Sequence, residues 1–346
     1  MKAVVYHGNG EKVWETAADP KVIDPNDAIV RIDAVTICGT DLHILKGDVP
    51  AVTEGRILGH EALGTIEEVG SGVQTARPGD RVLLSCISAC GRCRFCAEAR
   101  YGQCQGGGGW ILGHLIDGVQ AEYARIPFAD TSTYPIPEGV TDESVLFLSD
   151  ILPTGYEVGV LNGSVKPGDT VAVVGAGPIG LAAILGARLY SPARIIAIDP
   201  AEPRRQAALA FGADEAIEPG DSAVDRVMEL TDGLGADVAI EAVGIPNTFE
   251  LCARLVRPVG RVAVVGVFGE PATLHLENLW IRDVTITTGL VDTYSIPTLL
   301  RLIEGGLIDP STFITHRFTM DRFMEAYDVF ADAANTGALK VVVTRS

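Results

Sequence analysis

Five of the chain's seven cysteines lie within residues 85–104, SCISACGRCRFCAEARYGQC, and four of them are spaced C-x2-C-x2-C-x7-C. Four thiolates this close along a chain, Cys90, Cys93, Cys96 and Cys104, can enclose one tetrahedral zinc and leave no open position. A closed site has no room for substrate, so this zinc would be structural. It would tie down a lobe (about residues 86–105) that is rich in charge and glycine and has little core of its own. Cys86 stands outside the spacing and reads as a small buried apolar residue. The run of glycines at 106–109 reads as a flexible loop leading into Trp110.

A second constellation points to a dinucleotide. In VAVVGAGPIG, Gly175, Gly177 and Gly180 follow an apolar run and open a helical pattern, with Pro178 and Ile179 between the last two glycines. The first glycine would make the tight turn, the second would admit a pyrophosphate and the third would let helix and strand pack closely. The helix N-terminus would then face the phosphates with its partial positive charge. Asp199 ends the next apolar run, where its carboxylate can accept hydrogen bonds from the adenosine ribose hydroxyls and repel a 2′-phosphate. That favours NAD over NADP, although Arg204 and Arg205 are near enough to soften the preference.

These residues need strands and helices to hold them. The runs at 170–175, 193–199, 214–219, 236–244, 260–267 and 284–289 alternate with helical patterns, including PIGLAAILGARLY and PRRQAALAFG. The pattern is that of an α/β domain with a six-stranded, doubly wound parallel sheet over residues 153–292. Residues 1–152 have short strands and many Gly and Pro turns, and read as a β-rich domain. Residues 293–346 follow the last strand of a completed sheet and are expected to fold back on that first domain. A chain of 346 residues suits two domains at roughly 150 residues each. The start MKAVVYHGNG has no apolar core behind a basic stretch, so no secretion signal is expected, and no apolar run approaches the roughly 20 residues of a membrane span. The expectation is a soluble cytoplasmic protein in a reducing compartment, where clustered cysteines hold metal more often than they form disulfides. A net charge of −18 argues against a nucleic-acid partner and is read as a solubility device.

Taken in order, GHEALGTIEEVGSG, PGDRV, the four-cysteine lobe and VGAGPIG resemble the zinc-containing alcohol dehydrogenases of the medium-chain dehydrogenase/reductase superfamily, over essentially the whole chain. The resemblance implies a GroES-like catalytic domain (1–152 and 293–346) interrupted by a Rossmann NAD-binding domain (153–292), with two zincs per subunit, one catalytic and one structural. Cys38 in TICGTDLH matches the family's thiolate ligand and His60 in LGHE its imidazole ligand. Asp150 in LSDILPTGY stands where many relatives carry cysteine, as in the branch that holds bacterial secondary alcohol dehydrogenases. A thiolate, an imidazole and a carboxylate are all sound zinc ligands, and three of them leave one position open. Glu61, next to His60, is implied behind the ligands or as an alternate ligand.

The resemblance further implies that zinc acts as a Lewis acid on an alcohol and that hydride passes to the nicotinamide. Thr40 and His43 match the family's proton relay, as hydroxyl bridge and solvent-side base. Thr154 is assigned to the nicotinamide, with Val243 and Val267 as weaker members of that surface. Ile87 and Trp110 fall where short-chain secondary alcohol dehydrogenases build their substrate pocket, which favours small secondary and primary alcohols. A polyol or formaldehyde dehydrogenase on the same scaffold is the alternative, and a non-enzymatic dinucleotide-binding protein the remote one. The family also implies a homotetramer, with a homodimer as the alternative, paired through the strand at 284–289.

Overall fold

The run TVAVV (170–174) is buried at every position after the first, as a strand covered on both faces must be. In chain order the strands are β1 (Lys2–Gly8), β2 (Glu11–Thr16), β3 (Ala28–Thr36), β4 (Ala62–Val69), β5 (Arg81–Leu84), β6 (Tyr123–Ile126), β7 (Thr133–Pro135), β8 (Thr170–Val174), β9 (Arg194–Ile198), β10 (Glu215–Ile217), β11 (Ala236–Glu241), β12 (Val256–Val264), β13 (Thr285–Thr288), β14 (Ile314–Thr319) and β15 (Lys340–Thr344). The computed structural model describes residues 1–345. They form two compact units: Met1–Asp150 together with the C-terminal stretch from Asp292, and Ile151–Val291. The divisions fall at 150/151 and 291/292, against 152/153 and 292/293 from the sequence.

Ile151–Val291 carries a parallel sheet in the order β10-β9-β8-β11-β12-β13. That is the doubly wound Rossmann arrangement, with the glycine motif at the end of its central strand. Helices Pro178–Arg188, Glu202–Ala210, Asp221–Leu230 and Pro246–Leu255 connect the strands. The last two were not distinguished in the sequence. β12 begins at Val256, ahead of the apolar run at 260, because Val256 pairs with Ala236 across a register shift. Ala172, Val174, Ile196, Leu255 and Val262 are central to this unit's core.

The other unit is the GroES-like one. Its main sheet runs β14-β15-β3-β4-β5-β7, β6 adds to β3, and β1 and β2 form a separate hairpin. The C-terminal residues complete this sheet: β15 lies antiparallel to β3, with Val342 opposite Thr36 and Thr344 opposite Ala34. Val30, Ile32, Ile37, Phe323, Tyr327 and Val341 pack into its core. β15 therefore brings Lys340 beneath the end of β3, just before Cys38.

Candidate active site and metal centres

Cys38, His60, Glu61 and Asp150 come together in the GroES-like unit, with one ligand atom of each lying within 4.8 Å of the others. Each sits where regular structure stops. Cys38 caps the helix Gly39–Lys46 just after β3, His60 and Glu61 immediately precede β4, and Asp150 lies at a break in helical turns. Asp150 Oδ2 is 3.6 Å from Cys38 Sγ and 3.3 Å from His60 Nε2. Burial works to lower the pKa of His60, but the Asp150 carboxylate and the Cys38 sulfur outweigh it and hold the imidazole well above its ordinary value. Burial, and then the Glu61 charge, pushes the Cys38 thiol up. A sulfur, an imidazole nitrogen and a carboxylate converging in a buried, negatively biased cluster fit a zinc ion with one open position.

Glu61 is near enough to ligate, and each of its oxygens already accepts from one ammonium. Lys340 Nζ lies 2.8 and 2.9 Å from Oε1 and Oε2, and also donates to the Ile37 carbonyl at 3.0 Å. Burial would lower the Lys340 pKa, yet the Glu61 carboxylate raises it, so the ammonium stays charged. Sequence reasoning missed Lys340. Its signal was a lysine at the head of an apolar strand, KVVVT, where an unpaired charge is costly.

Asp41 was missed too. Its Oδ2 accepts from the Cys38 backbone N–H and from Gln120 Nε2, both at 2.9 Å, and the Tyr327 hydroxyl donates to Gln120 Oε1 at 2.6 Å. This buried chain fixes the backbone that carries Cys38. Cys86, read as a plain apolar residue, is buried but donates its thiol hydrogen bond to Asp150, and burial first and then Asp150 raise its pKa well above the ordinary value.

Thr40 Oγ1 is 3.6 Å from Cys38 Sγ. His43 lies one turn along the same helix and is half-exposed. The Trp110 ring meets that of His60 edge-on at 6.3 Å and stacks on His114 at 4.2 Å. Ile87 is fully buried, its N–H bonded to Ser85 Oγ at 3.1 Å.

Cys90, Cys93, Cys96 and Cys104 form the second cluster. Cys104 Sγ accepts the N–H groups of Cys90 and Gly106, both at 3.4 Å. The glycine run differs from its reading as a flexible loop. A Cβ on Gly106 would strike Cys90 Sγ, one on Gly108 would strike the Ser88 carbonyl, and Gly109 bridges to Ser88. Gly106 and Gly108 leave room where the chain passes against a thiol and a carbonyl, while Gly107 and Gly109, at φ +90° and +93°, take the left-handed backbone of the turn. Four sulfurs in a cradle of backbone N–H groups suit a closed structural zinc.

In the Rossmann unit, Gly175, Asp199, Arg204, Val243, Asn247 and Thr248 are among the residues lining a cavity of about 570 Å³. Gly175 has φ +97°, and a Cβ on Gly180 would overlap the Gly175 carbonyl. A Cβ on Gly177 would meet nothing, so the motif's middle faces open space, and Pro178 begins the helix there. Asp199 accepts N–H bonds from Ala176 at 2.8 Å and Ala201 at 2.9 Å, one on each oxygen. Each oxygen retains a lone pair for a ribose hydroxyl. Arg204 stands 3.9 Å from Asp199 and is exposed, while Arg205 turns to Glu202 and Glu218. Glu241, another residue missed, organises the cavity wall: its Oε1 accepts from the N–H groups of Val243 and Gly244 and from the Thr248 hydroxyl. Ile179 is half-buried on the same helix, and Thr154 opens a separate π-helical segment, Thr154–Leu161. Val267 is exposed and does not line the cavity.

Residues 24–138 match the alcohol dehydrogenase GroES-like domain, and residues 178–305 the zinc-binding dehydrogenase family. An alcohol dehydrogenase of Cupriavidus necator is 40% identical, covering 99% of this chain and 98% of that protein. The structure is similar to the apo form of zinc dependent alcohol dehydrogenase 2 from Streptococcus pneumonia, with a TM-score of 0.96 and 47% identity over 100% of this chain and 99% of that one. It is also similar to an alcohol dehydrogenase from Thermus sp. ATN1, with a TM-score of 0.91 and 35% identity over the whole of both chains. The two domain matches, the shared fold and the paired cysteine-containing clusters lead to one conclusion: the chain belongs to the zinc-containing alcohol dehydrogenase family of the medium-chain dehydrogenase/reductase superfamily.

Proposed function

We propose that the protein is an NAD-linked zinc alcohol dehydrogenase that interconverts small secondary and primary alcohols with ketones and aldehydes. The observation that carries this reading is the convergence of Cys38, His60 and Asp150, far apart in sequence, on one buried point. Those three would hold a catalytic zinc and the four lobe cysteines a structural one. When bound, zinc supplies Lewis-acid polarisation of a hydroxyl and the dinucleotide supplies a hydride acceptor. Asp41 and Lys340 keep the backbone around Cys38 and the Glu61 carboxylate in place. Thr40 is the hydroxyl beside the centre, and His43 takes the proton towards solvent. Trp110, set against His60, fills space near the centre and favours small substrates, and Ile87 is assigned to the same pocket. Thr154, Val243 and Val267 are assigned to the nicotinamide side of the cofactor. Asp199 reads the adenosine ribose, and the exposed Arg204 makes its preference for NAD less than absolute.

The test is the initial rate with 2-propanol on the zinc-replete enzyme, with NAD and NADP in parallel, for the native chain and Asp199→Gly. The expected result is reduction of NAD, shifting towards NADP in the variant. Turnover of polyols or formaldehyde alone would transfer the reading to those enzymes, and no turnover at all would sink it. Gathering thiols into metal clusters suits a reducing compartment, so we place the enzyme in the cytoplasm. No single helix is long and apolar enough to cross a membrane among the described residues.

A further inference from the structure

We propose that Asp48 is the positioning residue that fixes the His43 imidazole in the tautomer able to accept a proton, an inference that rests on His43 as the proton carrier. The stretch HILKGD builds the arrangement. The helix Gly39–Lys46 ends at Gly47, whose φ of +85° lies in the left-handed region. The Gly47 N–H returns to the Ile44 carbonyl and the Asp48 N–H to the His43 carbonyl, both at 3.0 Å. These are the two bonds of a Schellman turn. The reversal carries the Asp48 side chain back over residue 43, where Oδ2 lies 2.8 Å from His43 Nδ1.

An ionised carboxylate only accepts hydrogen bonds, so Nδ1 must carry the hydrogen, and in the neutral ring Nε2 keeps its lone pair. Thr40 precedes His43 by three residues and so shares a helix face with it. One face therefore bears a hydroxyl close to Cys38 and an imidazole one turn further out, with a carboxylate behind the ring. A proton arriving at Nε2 gives an imidazolium paired with Asp48. Its release to solvent restores the same tautomer, with no change in electron count. A free imidazole side chain in water favours hydrogen on Nε2, the wrong nitrogen for this role. Asp48 reverses that preference.

The test uses 15N-histidine-labelled, zinc-replete holoenzyme. The chain has six histidines, and His43 is identified by the signal lost in His43→Gln. In the native enzyme His43 should show the Nδ1–H pattern. Asp48→Ala should move it to Nε2–H and lower turnover by on the order of tenfold, a fraction of what a general base contributes. Zinc content and melting temperature should stay unchanged. Asp48→Asn, whose amide can either accept or donate, should give an intermediate mixture, and it serves if the alanine variant folds poorly. An unchanged His43 pattern in both variants would overturn the proposal, as would a switched tautomer with native turnover. Full turnover in His43→Gln would overturn the proton-carrier reading itself. An impaired His43→Gln beside silent Asp48 variants would remove Asp48 alone.

Discussion

The cluster at Cys38, His60 and Asp150 concentrates negative charge where water is excluded, and one residue offsets it. Lys340 and Glu61 are both fully buried, at 1% and 0% side-chain exposure, and face each other with two short contacts. Removing one partner of such a pair leaves an uncompensated buried charge and costs about 3–5 kcal/mol, whereas removing both can be nearly neutral. Lys340→Met should therefore lower stability by about 3–5 kcal/mol in urea unfolding. Adding Glu61→Gln should recover most of that loss. A single variant with the native midpoint would mean that the pair is dispensable, and a double variant no better than the single would show that Lys340 acts through Ile37 instead. The metal centre thus depends on a lysine some 300 residues from Cys38 in sequence, a separation made explicit by its bond to Ile37 at 303 residues' remove.

At the scale of elements, the cysteine lobe is short pieces of helix and loop held by sulfur. Backbone N–H groups of Cys96 and Gln105 draw the Cys93 thiol down to about 6, while burial pushes Cys96 up to about 12. An unfolded thiol ionises near 8.5. Because the folded pKa of Cys93 lies below that of the unfolded chain, its contribution is complete above about pH 8.5 and is lost as pH falls through about 6. Urea unfolding of the zinc-stripped chain should therefore show stability weakening as pH falls from about 8.5 towards 6, and that dependence should flatten in Cys93→Ser. A zinc-stripped native chain whose unfolding midpoint does not change across that window would refute the assignment. This lobe was legible in the sequence because its ligands are neighbours and their spacing is itself the signal. The glycine motif was legible for the same reason, since strand, turn and helix follow one another. Lys340 and Gln120 were not, because each acts on a partner that only the folded sheet brings near; Glu241 was not, because its bonds to Val243, Gly244 and Thr248 are local turn contacts with no spacing signal of their own. Glycines 106–109 misled because glycine has two uses, freedom in a loop and clearance beside another atom, and composition does not distinguish them.

For the whole molecule, the Rossmann sheet leaves an unanswered edge. Among the described residues β13 pairs with β12 alone, so its other side is a sheet edge open to another strand. Beside it in the chain, Leu276, Trp280 and Ile281 are exposed, Trp280 at 74%, and Val259 is exposed at 66% in a left-handed conformation. Large apolar side chains gathered next to a bare strand edge favour a second copy of the chain, because a twofold axis lets β13 pair with itself and covers the apolar residues at once. This is the basis on which we infer an oligomer, a tetramer or a dimer, rather than a monomer. Trp280→Asp combined with Ile281→Glu places two charges where the interface would close, and these exposed residues can change without opening either core. Sedimentation velocity should give a multiple of the 36.5 kDa chain mass for the native protein and a smaller species for the variant, with helix and strand content retained by circular dichroism. A native monomer would mean that the edge is tolerated bare. An unchanged oligomer in the double variant would place the contact on another face, and β13 would then owe its protection to its four-residue length alone.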